Sequence, residues 1–135
     1  MRLLIDTNIV LEIILEQERA REARSLLSLT EEHVFFLSDF SLHSVGVLLF
    51  RRRQQKTYWD IIEDLVFNGG MAVISLSVDE MESVVKVAER FELDFDDAYQ
   101  YVAAEKHQLA VVSFDGDFDR TERGRQTPGA IMGTA

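Results

Sequence analysis

The chain has 135 residues, 24 of them acidic and 14 basic, with a formal net charge of −10, one proline and no cysteine. That length carries a single hydrophobic core, and the lack of cysteine excludes disulfides, thiolate nucleophiles and thiolate metal sites. The negative excess argues against broad electrostatic capture of nucleic acid, though not against a local basic patch or a metal-mediated approach to phosphate.

Arg2–Ile5 (RLLI) is a short apolar run that stops at Asp6-Thr7-Asn8, the pattern of a buried strand passing into a polar turn. Asp6, Asn8 and Glu12 interrupt this apolar start, so it reads as neither a signal peptide nor a membrane span. A cysteine-free soluble chain suits a reducing cytoplasm. From Ile9 the apolar residues recur at helical spacing, and EQERAREARSLLSL continues as a charged helix with Ala20, Ala23, Leu26 and Leu27 on one face. VFFLSD (34–39) predicts a second strand. FSLHSVGVLLFRRRQQK predicts a helix with a basic tail, and YWDIIEDLVFNGG a further helix closed by Gly69 and Gly70. MAVISLS (71–77) predicts a third strand, followed by a helix that Asp79 caps and by the helix FDDAYQYVAAEKH. LAVVSFD (109–115) predicts a fourth strand ending in Asp115, and GRQTPGAIMGTA a loose tail or short edge strand. Buried strands alternating with helices predict an α/β fold with a mostly parallel sheet, in one domain over 1–135.

In open parallel sheets, ligands bind beyond the carboxyl ends of the strands. Asp6 is the first polar residue after strand one, Asp115 ends strand four, and the helix that begins near Asp94 starts at the same edge. Acids from three distant segments thus converge on one rim. Their mutual repulsion is tolerated when a cation sits between them, and oxygen ligands without histidine or cysteine select Mg²⁺ or Mn²⁺. Each acid alone also has a local use. Asp94 and Asp97 fit a capping pair, Asp6 a helix cap, and Asp115 turn chemistry. Weighed together, Asp94 caps its helix and also stands within reach of a metal, Asp97 faces the cation, and Asp96 stays unassigned.

LLIDTN, DDAYQYVAAE and VVSFDGDF resemble, in order and spacing, the three recurring blocks of PIN domains, over Leu3 to about Phe118. The resemblance implies a three-layer sandwich with four to five strands and a divalent-metal-dependent ribonuclease, in many bacterial and archaeal cases a VapC-like toxin neutralised by an antitoxin protein. It assigns the catalytic and metal-binding acids to Asp6, Asp97, Asp115 and the auxiliary Asp117, with Asn8 and Ser113 beside them. It also implies RNA as substrate and homodimers as an assembly. One departure matters. The glutamate that the family generally carries on the helix after strand two falls on Ser44, and no acid occurs between Asp39 and Asp60. Neighbouring His43 reads as a partly buried, hydrogen-bonded side chain. The basic groups best placed for RNA are Arg51, Arg52, Arg53 and Lys56, with Arg19, Arg21 and Arg24 as a second cluster. Tyr99, Tyr101 and Trp59 read as core or interface aromatics.

Three other readings fail on residues. A calcium loop starting at Asp115 has Arg120 where glycine is required and Gln126 where a bidentate glutamate belongs. The D-x-D-x-T of DFDRT leaves too few residues after Thr121 for an aspartyl-phosphate phosphatase, and a phosphoacceptor domain lacks its aspartate after MAVISLS. The remaining alternative is a weakened or inactive PIN module that binds RNA or a protein without cutting.

Overall fold

Leu3, Leu4 and Ile5 have no exposed surface. A strand apolar on both faces belongs inside a sheet covered on both sides. The computed structural model, which describes residues 1–133, places it there. β1 (Arg2–Ile5) lies between β2 (Val34–Ser38) and β4 (Ala110–Val112), and β3 (Ala72–Ile74) lies outside β2. All pairings are parallel, with Leu3 opposite both Phe35 and Ala110, and Leu37 opposite Val73.

Each crossover holds two helices. α1 (Thr7–Ile14) and α2 (Ala20–Leu27) link β1 to β2, and α3 (Asp39–Arg51) and α4 (Gln55–Ile62) link β2 to β3. α5 (Met81–Phe91) and α6 (Phe95–His107) link β3 to β4, and α7 (Pro128–Ile131) follows. The two-residue period of β1 sends Leu3 and Ile5 into one core layer with Ile9, Ala23, Leu26 and Leu49. Leu4 enters the other layer with Tyr101, Ala104 and Val111. α6 is buried continuously from Asp97 to Ala104, and its alanines 98, 103 and 104, fully buried, let it press against the sheet. α5 closes the outer side through Val84, packed with Val102. The three-layer α/β arrangement that the sequence predicts is the one found, with four strands.

Local boundaries differ where tertiary contacts intervene. The helix predicted to run on from Ile9 breaks into α1 and α2, with Glu16 in the left-handed region at φ 50 and the Arg19 N–H held by Glu12 Oε1. α3 stops at Arg51 rather than continuing through the basic run, because Arg53 adopts φ 57 and turns the chain into α4. The α3–α4 corner is tight. A Cβ on Gly46 would meet the Tyr58 ring at 3.0 Å, and Tyr58 donates its hydroxyl to Leu42 O. α4 passes into one wide π turn, Glu63–Asn68, before Gly70 reverses the chain at φ 72. Ser77, not Asp79, caps the 3₁₀ turn Val78–Glu80 that leads into α5, in a reciprocal box with Glu80. β4 ends at Val112, so Asp115 lies beyond the strand and instead caps the short 3₁₀ turn Gly116–Arg120. In the tail, Gln126 makes one parallel bridge to Val112, and Gly129 N–H donates to Glu22 Oε1. Residues 134–135 of the predicted tail lie outside the described residues. Among the described residues, no helix is long and apolar enough to cross a membrane.

Candidate metal centre

The strand order reverses between β1 and β4. From β1 the chain moves outward through β2 and β3, then returns to the other side for β4. Crossovers that leave in opposite directions open a crevice at the carboxyl edge. A cleft of about 280 Å³ is found there, lined by Asp6, Thr7, Asn8, Leu11, Asp96, Asp97 and Asp115. One carboxylate oxygen from each of Asp97, Asp115 and Asp117 lies within 4.8 Å of the others. Opposite ligands of an octahedral Mg²⁺ stand about 4.2 Å apart, so this spacing suits such an ion with small adjustments. The donors are all oxygen, which is the hard-cation set.

The electrostatics ask for a positive charge. Burial pushes the Asp97 carboxyl far up, to about 8, and the charges of Asp96, Asp115 and Asp6 and a hydrogen bond with Asp115 add to the rise. Burial likewise raises Asp6, although hydrogen bonds from Ser113, Thr7 and Gln100 oppose it and Asp96 adds repulsion. A divalent cation would offset the repulsion that helps raise both carboxyls.

Asp6 is fixed from three sides. Its Oδ1 accepts from Thr7 N–H at 2.8 Å and from Gln100 Nε2 at 3.1 Å, and its Oδ2 accepts from Ser113 Oγ at 2.7 Å. Ser113 in turn accepts from Asn8 Nδ2 and from Asp115 N–H, which occupies both lone pairs and aims its proton at Asp6. Asn8 Oδ1 accepts from Phe114 N–H, so Asn8 ties α1 to the end of β4. Asp117 N–H donates to Asp115 Oδ1, while its carboxylate pairs with Arg120 at 3.0 Å. Arg120 is anchored by Phe91 O and Glu92 O at the end of α5.

Of the residues the sequence singled out, Asp6, Asn8, Asp97 and Asp115 line the cleft, Ser113 bonds to its wall, and Asp117 joins the carboxylate trio. Asp94 does not line it. It occupies the N-cap of α6 with an exposed side chain that makes no capping bond, and Asp96 faces the cleft in its place. Ser44 is half-buried and outside the cleft lining, and His43 is exposed rather than partly buried. Arg51, Arg52, Arg53 and Lys56 are all exposed. They begin ten residues beyond Ser41, about 15 Å along the α3 axis, and Lys56 pairs with Asp60. Three groups escaped sequence reasoning: Gln100, Ser41 and Arg120. Gln100 could have been found, because it lies one turn after Asp97 and shares its face. Ser41 carried no signal beyond its spacing from Ser38, the N-cap of α3, whose Oγ accepts from Ser41 N–H.

Known proteins bear on this geometry in three ways. The fold is similar to VapC20 of Mycobacterium tuberculosis, described as a Sarcin-Ricin loop cleaving toxin, at TM-score 0.77 and 20% identity over 93% of this chain and 99% of that one. It is also similar to VapBC2 from Rickettsia felis bound to a promoter DNA fragment (TM-score 0.73, 15% identity, 93% and 96% covered). A toxin–antitoxin complex from Klebsiella pneumoniae is a third likeness (TM-score 0.69, 22% identity, 93% and 97% covered). At these identities the likeness is one of fold. No match is found among curated protein sequences. The sequence itself matches the PIN domain over residues 3–124, and the chain belongs to the PIN domain family.

Proposed function

We propose that this single domain is a divalent-metal-dependent endoribonuclease of the toxin type, acting in the cytoplasm and held in check by an antitoxin protein. The observation that carries this reading is the meeting of Asp97, Asp115 and Asp117 within 4.8 Å, with Asp6 on the same cleft. In this reading Asp97, Asp115 and Asp117, with Asp6, hold Mg²⁺ or Mn²⁺. The ion supplies Lewis acidity to a water and to the phosphoryl oxygens, and offsets the charge between an acidic site and an anionic strand. Asn8 and Ser113 keep Asp6 in place, and Leu11 gives the cleft one apolar wall. RNA backbone contacts fall to Arg51, Arg52, Arg53 and Lys56 only for a strand long enough to run from the cleft along α3.

A protein partner is supported by apolar surface on and beside α3 and α4. Val47, Phe50, Trp59 and Phe67 are each more than half exposed, and Trp59 and Phe67 lie with rings 5.9 Å apart. An antitoxin, or a second copy of the chain, would cover such a face. The second reading, a PIN module that binds without cutting, draws on the absence of any acid on α3 after Asp39 and on the Arg120 that already engages Asp117.

An RNA cleavage assay with Mn²⁺ separates the two. The chain is expected to cut RNA only with metal, and Asp6→Ala to lose that cutting. Metal-independent cleavage would end the metal-dependent reading, and no cleavage at any Mn²⁺ concentration would end the nuclease reading.

A further inference from the structure

Gln100 is 1% exposed, yet its Oε1 has no hydrogen-bond partner. A buried amide with an orphan acceptor is a costly way to fill space that methionine or leucine would fill without penalty. Its other end explains the choice. Nε2 donates to Asp6 Oδ1 at 3.1 Å and to Ser41 Oγ at 2.5 Å. Turning the amide over would set Oε1 against the Asp6 carboxylate and bury two unpaired donors instead. The orientation is therefore dictated by Asp6.

The network has a single sense. Ser41 Oγ accepts from Gln100 and from Ser38 Oγ, so its own proton goes to Thr7 Oγ1 at 2.7 Å. Every hydrogen-bond partner of Asp6 is a donor to it. Both lone pairs of Oδ1 are occupied, by Thr7 N–H and by Gln100. Oδ2 has one occupied by Ser113 and one left. Asp6 can thus offer a cation one oxygen in one direction.

We infer that Gln100 is the positioning residue of the metal site: it closes Oδ1 of Asp6, so that the carboxylate binds through Oδ2 alone, and with Ser41 it links α3, which carries no acid after Asp39, to the site through neutral hydrogen bonds. This rests on the metal-dependent reading above. Groups that orient a ligand rather than touch the metal typically change affinity 10–100-fold when removed.

The test is Gln100→Met, which keeps length and apolar bulk and removes the donor. Mn²⁺ binding is measured by calorimetry beside thermal unfolding in EDTA, on the whole chain. The dissociation constant is expected to rise about 10–100-fold, while the melting temperature stays within about 5 °C because the orphan Oε1 leaves together with the lost bonds. Ser41→Ala is expected to weaken Mn²⁺ about two- to tenfold, and it decides the matter should the Gln100 variant not fold. Unchanged affinity in the folded variants overturns the role of Gln100 and leaves the nuclease reading standing. Weakening matched by a large fall in melting temperature makes Gln100 a structural residue and overturns it too. A wild-type chain that binds no Mn²⁺ removes the metal reading, and this inference with it.

Discussion

Asp97→Asn should make the metal-free protein more stable and the metal-bound protein impossible to form. Asp97 is 4% exposed and its carboxyl is pushed from 3.8 to about 8, first by burial, then by Asp96, Asp115 and Asp6. In that window the native chain keeps a proton that the unfolded chain has lost. Stability of the apo protein therefore falls as pH rises from 3.8 towards 8, the reverse of a carboxylate in an ion pair. At about 1.4 kcal/mol per tenfold change in proton binding, the full displacement is on the order of 5 kcal/mol. Burial costs the amide that replaces the carboxyl something as well, so the substitution returns roughly half, about 2–3 kcal/mol. For a chain of this size that is a rise of about 8–12 °C in melting temperature at pH 8.5. Asparagine has nearly the same shape and can donate to Asp115, so packing is kept. Unfolding is followed by circular dichroism at pH 5 and 8.5, in EDTA and in Mn²⁺. The wild type should lose stability between the two pH values in EDTA and recover it in Mn²⁺; the variant should lose less in EDTA, the part that buried Asp6 still causes, and be indifferent to Mn²⁺. A variant less stable than wild type in EDTA at pH 8.5, or a wild type without pH dependence, would refute the reasoning.

Two further substitutions probe the edges of the site. Arg120→Ala frees Asp117 from a pair whose side chains are 44% and 46% exposed, so the pair itself contributes under about 1 kcal/mol. The lost bonds to Phe91 O and Glu92 O bring the cost to about 1–2 kcal/mol, while Mn²⁺ affinity by calorimetry is expected to rise severalfold. A fall in affinity would mean that Arg120 orients Asp117 for the ion. Ser44→Glu puts an acid one turn after Ser41 on the same face of α3. It is expected to lower melting temperature in EDTA, by added repulsion, and to tighten Mn²⁺ about tenfold through one more charged ligand. Equal affinity in the two proteins would show that this turn of α3 does not face the metal.

The layers and the strand cores follow from short-range pattern. Leu3, Leu4 and Ile5 are apolar without alternation, which a strand tolerates only when covered on both faces, and α6 advertises itself through its alanines and a polar start. That the acids share one rim also follows, since the end of β1, the end of β4 and the start of a crossover helix belong to one edge of any parallel sheet. Helix boundaries were less legible. The break at Glu16, the corner at Arg53 and the cap at Ser77 depend on which neighbours hold the chain, such as Glu12 on Arg19 N–H, and residue type alone does not encode that.

The division is sharpest at the site itself. The sequence by itself determined that Asp6, Asp97 and Asp115 lie on the carboxyl edge, because strand ends and the starts of crossover helices share one edge of any parallel sheet, whatever the strand order. Only the tertiary structure decided that Asp96 rather than Asp94 faces the cleft, and that Arg120 meets Asp117. It alone decided that Gln100, held by Ser41, closes one oxygen of Asp6 together with Thr7 N–H. Those outcomes turn on ångström-scale packing between α3, α5 and α6. A hydrogen bond is made or lost within about half an ångström, a precision that sequence spacing does not carry.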